Sequence, residues 1–175
     1  MRVLVSIVAG STLAVLVAGC SQDSDQSGAS ATSVDLDGSL YLLSTEPDGA
    51  QSVIDSRENA KHEEDVVIIG RIGGSTHPWV KDVAAFLIVD ESLKACSDIE
   101  GDTCPHPWDY CCETDKLPTA KALVQLVDSD GQVVRANAKQ LLKLKELDTV
   151  VIRGAAQRDD AGNLTVLASG LFIKP

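Results

Sequence analysis

Four cysteines, Cys96, Cys104, Cys111 and Cys112, fall in one stretch of this 175-residue chain. Thiols this close can pair as disulfides, bind a soft metal as thiolates, or work as a redox couple. The intervals between them are seven residues, six and none. That spacing lacks the Cys-x-x-Cys of redox couples and the paired short knuckles of common zinc modules. Adjacent cysteines also seldom ligate one ion without strain. Two disulfides that rigidify the stretch are therefore the first expectation. They would link Cys96 and Cys104 to Cys111 and Cys112, because a Cys111–Cys112 bridge closes a strained small ring. The second is a zinc or copper site built on the four thiolates, with His106 replacing one of them and His77 as a further candidate ligand.

His-Pro-Trp occurs twice, at His77-Pro78-Trp79 and His106-Pro107-Trp108, although the chain holds only three histidines and two tryptophans. In the functional reading Trp79, Trp108 and Tyr110 form a ligand face, with the histidines as polar or metal contacts. In the plainer reading, favoured here, both tryptophans pack on the core and the prolines shape loops. Other motifs fall away. Gly70-Arg71-Ile72-Gly73-Gly74 lacks the Gly-Lys-Ser/Thr of a phosphate loop. Asp128, Asp130 and Gly131 begin a calcium loop without its later ligands. Ser75 and His77 have no partnered acid, so no catalytic set emerges and the chain is not expected to be an enzyme.

The elements that must position these residues are mostly strands. β-Branched or alternating runs at 66–71, 84–89, 121–127, 150–154 and 164–173 predict five of them. The turn at 128–131 would let the third continue over 132–135. A short helix is expected over 49–60, and a partly helical segment over 136–147 where leucines alternate with Lys and Glu. The long connection 91–119, between the second and third strands, carries the cysteines. A connection of that length in a compact domain is usually functional or stapled.

The order β, β, β, α, β, β over residues 64–175 resembles the OB-fold, a five-stranded Greek-key barrel. Val66-Val67-Ile68-Ile69-Gly70 and Val150-Val151-Ile152-Arg153-Gly154 carry that resemblance, with glycine where a strand bends at a barrel corner. The fold class expected is thus all-β: an OB-like barrel with an N-terminal extension at 39–63 that holds the short helix, and the cysteine-rich insertion at 91–119. OB-folds bind ligands near the loops that hold the His-Pro-Trp copies.

At the other end, Arg2, an apolar run and Leu16-Val17-Ala18-Gly19-Cys20 resemble the leader and lipobox of bacterial lipoproteins. The resemblance implies cleavage after residue 19, a lipid on Cys20, and a membrane-anchored protein facing the periplasm or the cell surface. Residues 20–38 would be an acidic tether. The net charge of −11 repels phosphate backbones, so nucleic acid is not an expected partner. Glu46-Pro47-Asp48-Gly49-Ala50, Pro107-Trp108-Asp109-Tyr110-Cys111-Cys112 and Arg158-Asp159-Asp160-Ala161-Gly162-Asn163 are similar to segments of a group of bacterial lipoproteins with no assigned activity. That resemblance implies a shared domain and no catalytic residues. The leading functional expectation is an anchored, non-enzymatic binding module for a protein or glycan at the cell envelope. A metal-binding envelope protein is the alternative.

Overall fold

A computed structural model describes residues 36–175. The expected leader, Cys20 and residues 20–35 of the expected tether lie outside the described residues. Five strands follow from the β-branched runs: β1 (Asp65–Ile72), β2 (Ala85–Val89), β3 (Lys121–Leu126), β4 (Thr149–Arg158) and β5 (Leu164–Ile173). Val66, Ile68 and Ile72 of β1 point inward, as do Val124 and Leu126 of β3 and Val166 and Ala168 of β5. This period-two alternation closes one apolar face on itself.

The strands form a closed barrel in the order β1-β2-β3-β5-β4. Every pairing is antiparallel except β3 with β5. This is the five-stranded OB-like architecture expected from the element order. Strand β4 runs four residues beyond its expected end at Gly154. The chain bulges between Arg153 and Gly154, bends there and stays paired with β5. A Cβ on Gly154 would stand 2.1 Å from the Leu167 carbonyl oxygen, so only glycine fits this corner.

The N-terminal helix, α1 (Val53–Asn59), is shorter than expected. Gly49 makes a turn with φ +76°, and Gln51 is claimed by β1. Its N–H donates to the Val67 carbonyl at 2.8 Å and its carbonyl accepts from Ile69 N–H at 2.9 Å. Ser52 then caps the helix, its hydroxyl accepting from Asp55 N–H at 3.0 Å. The expected continuation of β3 over 132–135 reduces to one bridge between Val127 and Val133. Between β3 and β4 the helical segment narrows to α3 (Ala138–Leu141), capped by Asn137. Lys143 and Leu147 have positive φ and end any longer helix.

Two apolar clusters are separate in space. The larger fills the barrel and includes Ile68, Phe86, Ile88, Val124, Ile152 and Leu171. The smaller joins the end of β2 to the insertion through Val89, Leu93, Ala95, Tyr110, Leu117 and Ala120. Leu117 and Ala120 belong to α2 (Leu117–Ala120), the turn of helix that returns the chain to β3. Among the described residues no helix is long and apolar enough to cross a membrane.

Candidate metal centre

The insertion is held against the barrel at several points. Asp98 pairs with Arg71 near the end of β1 and accepts from Ala95 N–H. The Trp108 carbonyl accepts from Gly74 N–H at 2.8 Å, and its indole N–H donates to the Thr76 carbonyl at 3.2 Å. A Cβ on Gly73 would lie 2.5 Å from that same Trp108 carbonyl, so the bare backbone at 73 permits the contact. Two 3-10 turns, Cys96–Asp98 and Pro107–Asp109, then carry ligand-type side chains toward one another. Pro107 suits the start of the second turn because its missing N–H is not needed there.

Cys111 Sγ lies 3.4 Å from Cys96 Sγ and 3.6 Å from Cys104 Sγ. Asp109 Oδ1 is 3.8 Å from both Cys96 Sγ and Cys104 Sγ. All four ligand atoms fall within 4.8 Å of one another. Zn–S bonds of about 2.3 Å at tetrahedral angles place sulfurs about 3.8 Å apart, and a zinc-bound carboxylate oxygen about 3.5 Å from each sulfur. The four distances match edges of that tetrahedron to within a few tenths of an ångström, and the other two pairs, Cys96 with Cys104 and Cys111 with Asp109, lie within 4.8 Å. A second group, Cys96, Asp102 and Cys112, shares the first cysteine. There Cys112 Sγ stands 3.5 Å from Asp102 Oδ2. Cys96 is fully buried, while Cys111 and Cys112 are exposed.

Both carboxylates are oriented by the backbone of a cysteine two residues on. Asp102 Oδ1 accepts from Cys104 N–H at 2.6 Å, and Asp109 Oδ1 accepts from Cys111 N–H at 2.9 Å. Hydrogen bonding with the Cys96 thiol, then with Cys104, and desolvation push the Cys111 thiol well above its ordinary range. Its hydrogen bond with the Asp102 carboxylate pushes Cys112 up too. Without a cation these groups hold their protons. A metal would displace them, since thiolate is the ligand form.

The thiols expected to act together are together. Neither of the two expected disulfides is seen, and the four described cysteines carry free thiols. Cys111 faces two partners almost equally, which is the geometry of a ligand shell rather than of a pair. Neither His106 nor His77 belongs to the two groups. His106 stacks edge-on against Trp108, with centroids 5.5 Å apart. His77 is exposed, and its N–H donates to Ser75. Asp102 and Asp109 went unnoticed in the sequence. Their signal is the repeated Asp-x-Cys, Asp102-Thr103-Cys104 and Asp109-Tyr110-Cys111.

The aromatic residues divide. Trp79 is half-buried on Phe86, its indole N–H donates to Glu146 Oε1 at 2.7 Å, and Lys139 Nζ lies 5.6 Å from its ring centroid. Burial raises the Glu146 carboxyl, but hydrogen bonds from Lys139 and Trp79 outweigh it and hold the group below its usual range. Tyr110 corrects the expectation of a ligand face outright. It is wholly buried in the smaller core, where desolvation pushes its hydroxyl up to about 12. A groove of about 800 Å³ lies elsewhere, lined by Gln51, Val67, Arg153, Leu167 and Ser169 among others, and no thiol reaches it. Glu64 and Asp65 also line it, but neither belongs to a metal-type group among the described residues.

No protein-family model and no curated protein matches the chain. Among solved structures it is similar to the hypothetical protein ygiW from E. coli, at 13% identity and a TM-score of 0.38, over 73% of this chain and 94% of that one. It is also similar to the OBody AM1L10, solved bound to hen egg-white lysozyme. There the identity is 17% and the TM-score 0.42, over 76% of this chain and 98% of that one.

Proposed function

We propose that this protein is a non-enzymatic metal-binding module of the cell envelope, anchored by a lipid on Cys20. Its OB-like barrel serves as the scaffold for a zinc-type centre in the insertion. The observation that carries this reading is the near-tetrahedral set of Cys96, Cys104 and Cys111 sulfurs with Asp109 Oδ1. Three soft sulfurs and one hard oxygen suit zinc, which is borderline, better than copper(I), which favours all-sulfur shells. Four protein ligands also leave no position for substrate, so the ion would be structural rather than catalytic. Acyl chains on Cys20 would hold the protein to the membrane, while a net charge of −11 keeps it from anionic headgroups and from nucleic acid.

The test is intact-mass and metal analysis of protein taken from the envelope without reductant. The expected result is an acylated chain starting at Cys20, with its other thiols intact and zinc bound. A mass lower by the hydrogens of two disulfides, with no metal, overturns the centre. An unprocessed or soluble chain overturns the anchor.

A further inference from the structure

The Cys112 side chain is left over by a four-ligand centre, yet it is not idle. It faces Asp102 Oδ2, and with Cys96 these two form a second group of ligand atoms within 4.8 Å of one another. We infer that the cluster is a two-ion centre in which the Cys96 thiolate bridges two divalent metal ions. This rests on the thiolate reading above and extends it.

The first ion takes Cys96, Cys104, Cys111 and Asp109. The second takes Cys96, Cys112 and Asp102, which leaves one position open to water or an incoming ligand. Each thiol gives its proton to solvent as its sulfur–metal bond forms, and no electron changes hands. Four thiolates and two carboxylates carry six negative charges. One divalent ion would leave four of them crowded together, whereas two leave only two.

Three features support the bridge. Cys96 is the one ligand common to both groups and the only fully buried one. A bridging thiolate is the member of such a centre that must be held most rigidly, because it fixes both ions. Cys111 and Cys112 strain any single shell as neighbours in sequence, and here each serves a different ion. The Asp-x-Cys pairs repeat the same device: each carboxylate is fixed by a cysteine N–H, at 2.6 Å for Asp102 and 2.9 Å for Asp109. For Asp102 this leaves Oδ2 free to face Cys112. The second ion lies on the exposed side, with Cys112, and is the one that exchanges with solution.

The test is a titration of the reduced full chain in detergent with Zn²⁺, and separately with Co²⁺, read by native mass and electron paramagnetic resonance. Two equivalents are expected. The Co²⁺ resonance should grow with the first and collapse with the second, because a shared thiolate couples the two spins. Cys112→Ser and, independently, Asp102→Asn should bind one equivalent and keep the uncoupled resonance. One equivalent in the unaltered chain overturns the two-ion centre but leaves the thiolate reading standing. Two equivalents without spin coupling overturns the bridge. No binding at all overturns both.

Discussion

Tyr110 sits among the proposed ligands without being one. Its backbone is left-handed, with φ 58° and ψ 38°, its ring is fully buried, and its hydroxyl has no partner among the described residues. The left-handed turn costs about 1–2 kcal/mol. It reverses the chain so that Asp109 and Cys111 flank a ring that points the other way, into the small core. Burying an unpaired hydroxyl costs about 1–3 kcal/mol. Tyr110→Phe should therefore leave stability unchanged or raise it by up to about 1–3 kcal/mol, whereas Tyr110→Ala should cost about 3–5 kcal/mol. Chemical denaturation of both variants checks this, and a clear loss in Tyr110→Phe would reveal a partner for the hydroxyl. The thiols were legible as a set because four of them share one short stretch. The carboxylates were not, because the chain's 26 acidic residues hide the two ligand-type ones. Tyr110 was misread for a related reason: in sequence it adjoins the polar ligands, and only its αL backbone turns it inward.

At the scale of elements, the strands could be read because β-branched runs specify them locally. The length of β4 could not, since it depends on whether the chain bends or stops at Gly154. Gly154→Ala should settle how much rests on that bend. Its added Cβ would meet the Leu167 carbonyl oxygen at 2.1 Å, so β4 and β5 must separate. A loss of about 3 kcal/mol or more is expected in thermal unfolding, and a cost near zero would show that the barrel yields easily there. The join between α1 and the barrel combines apolar packing, with Val53 fully buried in the barrel core, and hydrogen bonds to Asp90. Asp90 is 3% exposed and accepts from Ile54 N–H at 2.9 Å and from the Ser92 N–H and hydroxyl at 3.0 and 2.6 Å. Burial raises its carboxyl, but those hydrogen bonds, led by the Ser92 hydroxyl, outweigh it and hold the group below its usual range. A depressed carboxyl stabilises the fold at pH values above the ordinary aspartate value of about 3.9, and that contribution is lost as pH falls through the lower folded value. Asp90→Asn should be less stable at neutral pH and should lose less of its stability on going to pH 2. Parallel acid-unfolding curves for the two proteins would contradict this.

The whole molecule joins a barrel that is stable by its own packing to an insertion that is not. The barrel core draws on all five strands and closes every edge, whereas the insertion contributes Leu93, Ala95, Tyr110 and Leu117 to a cluster of six buried residues. So small a core cannot by itself offset the ordering entropy of residues 91–119. Clamps to Arg71, Gly74 and Thr76 fix its edges, but its centre contains little besides the ligand cluster. A structural ion there would supply folding free energy directly, as in other small domains whose core is too slight. The expected consequence is a split in local stability. Removing metal with a chelator should raise amide hydrogen exchange over 91–119 by about a hundredfold or more, while β1–β5 keep their protection. Cys96→Ser should reproduce that pattern without any chelator. Uniform loosening of barrel and insertion together would mean that the ion holds the entire fold. An unchanged insertion would mean that packing around Tyr110 alone suffices, and the ligand cluster would then lose its structural role.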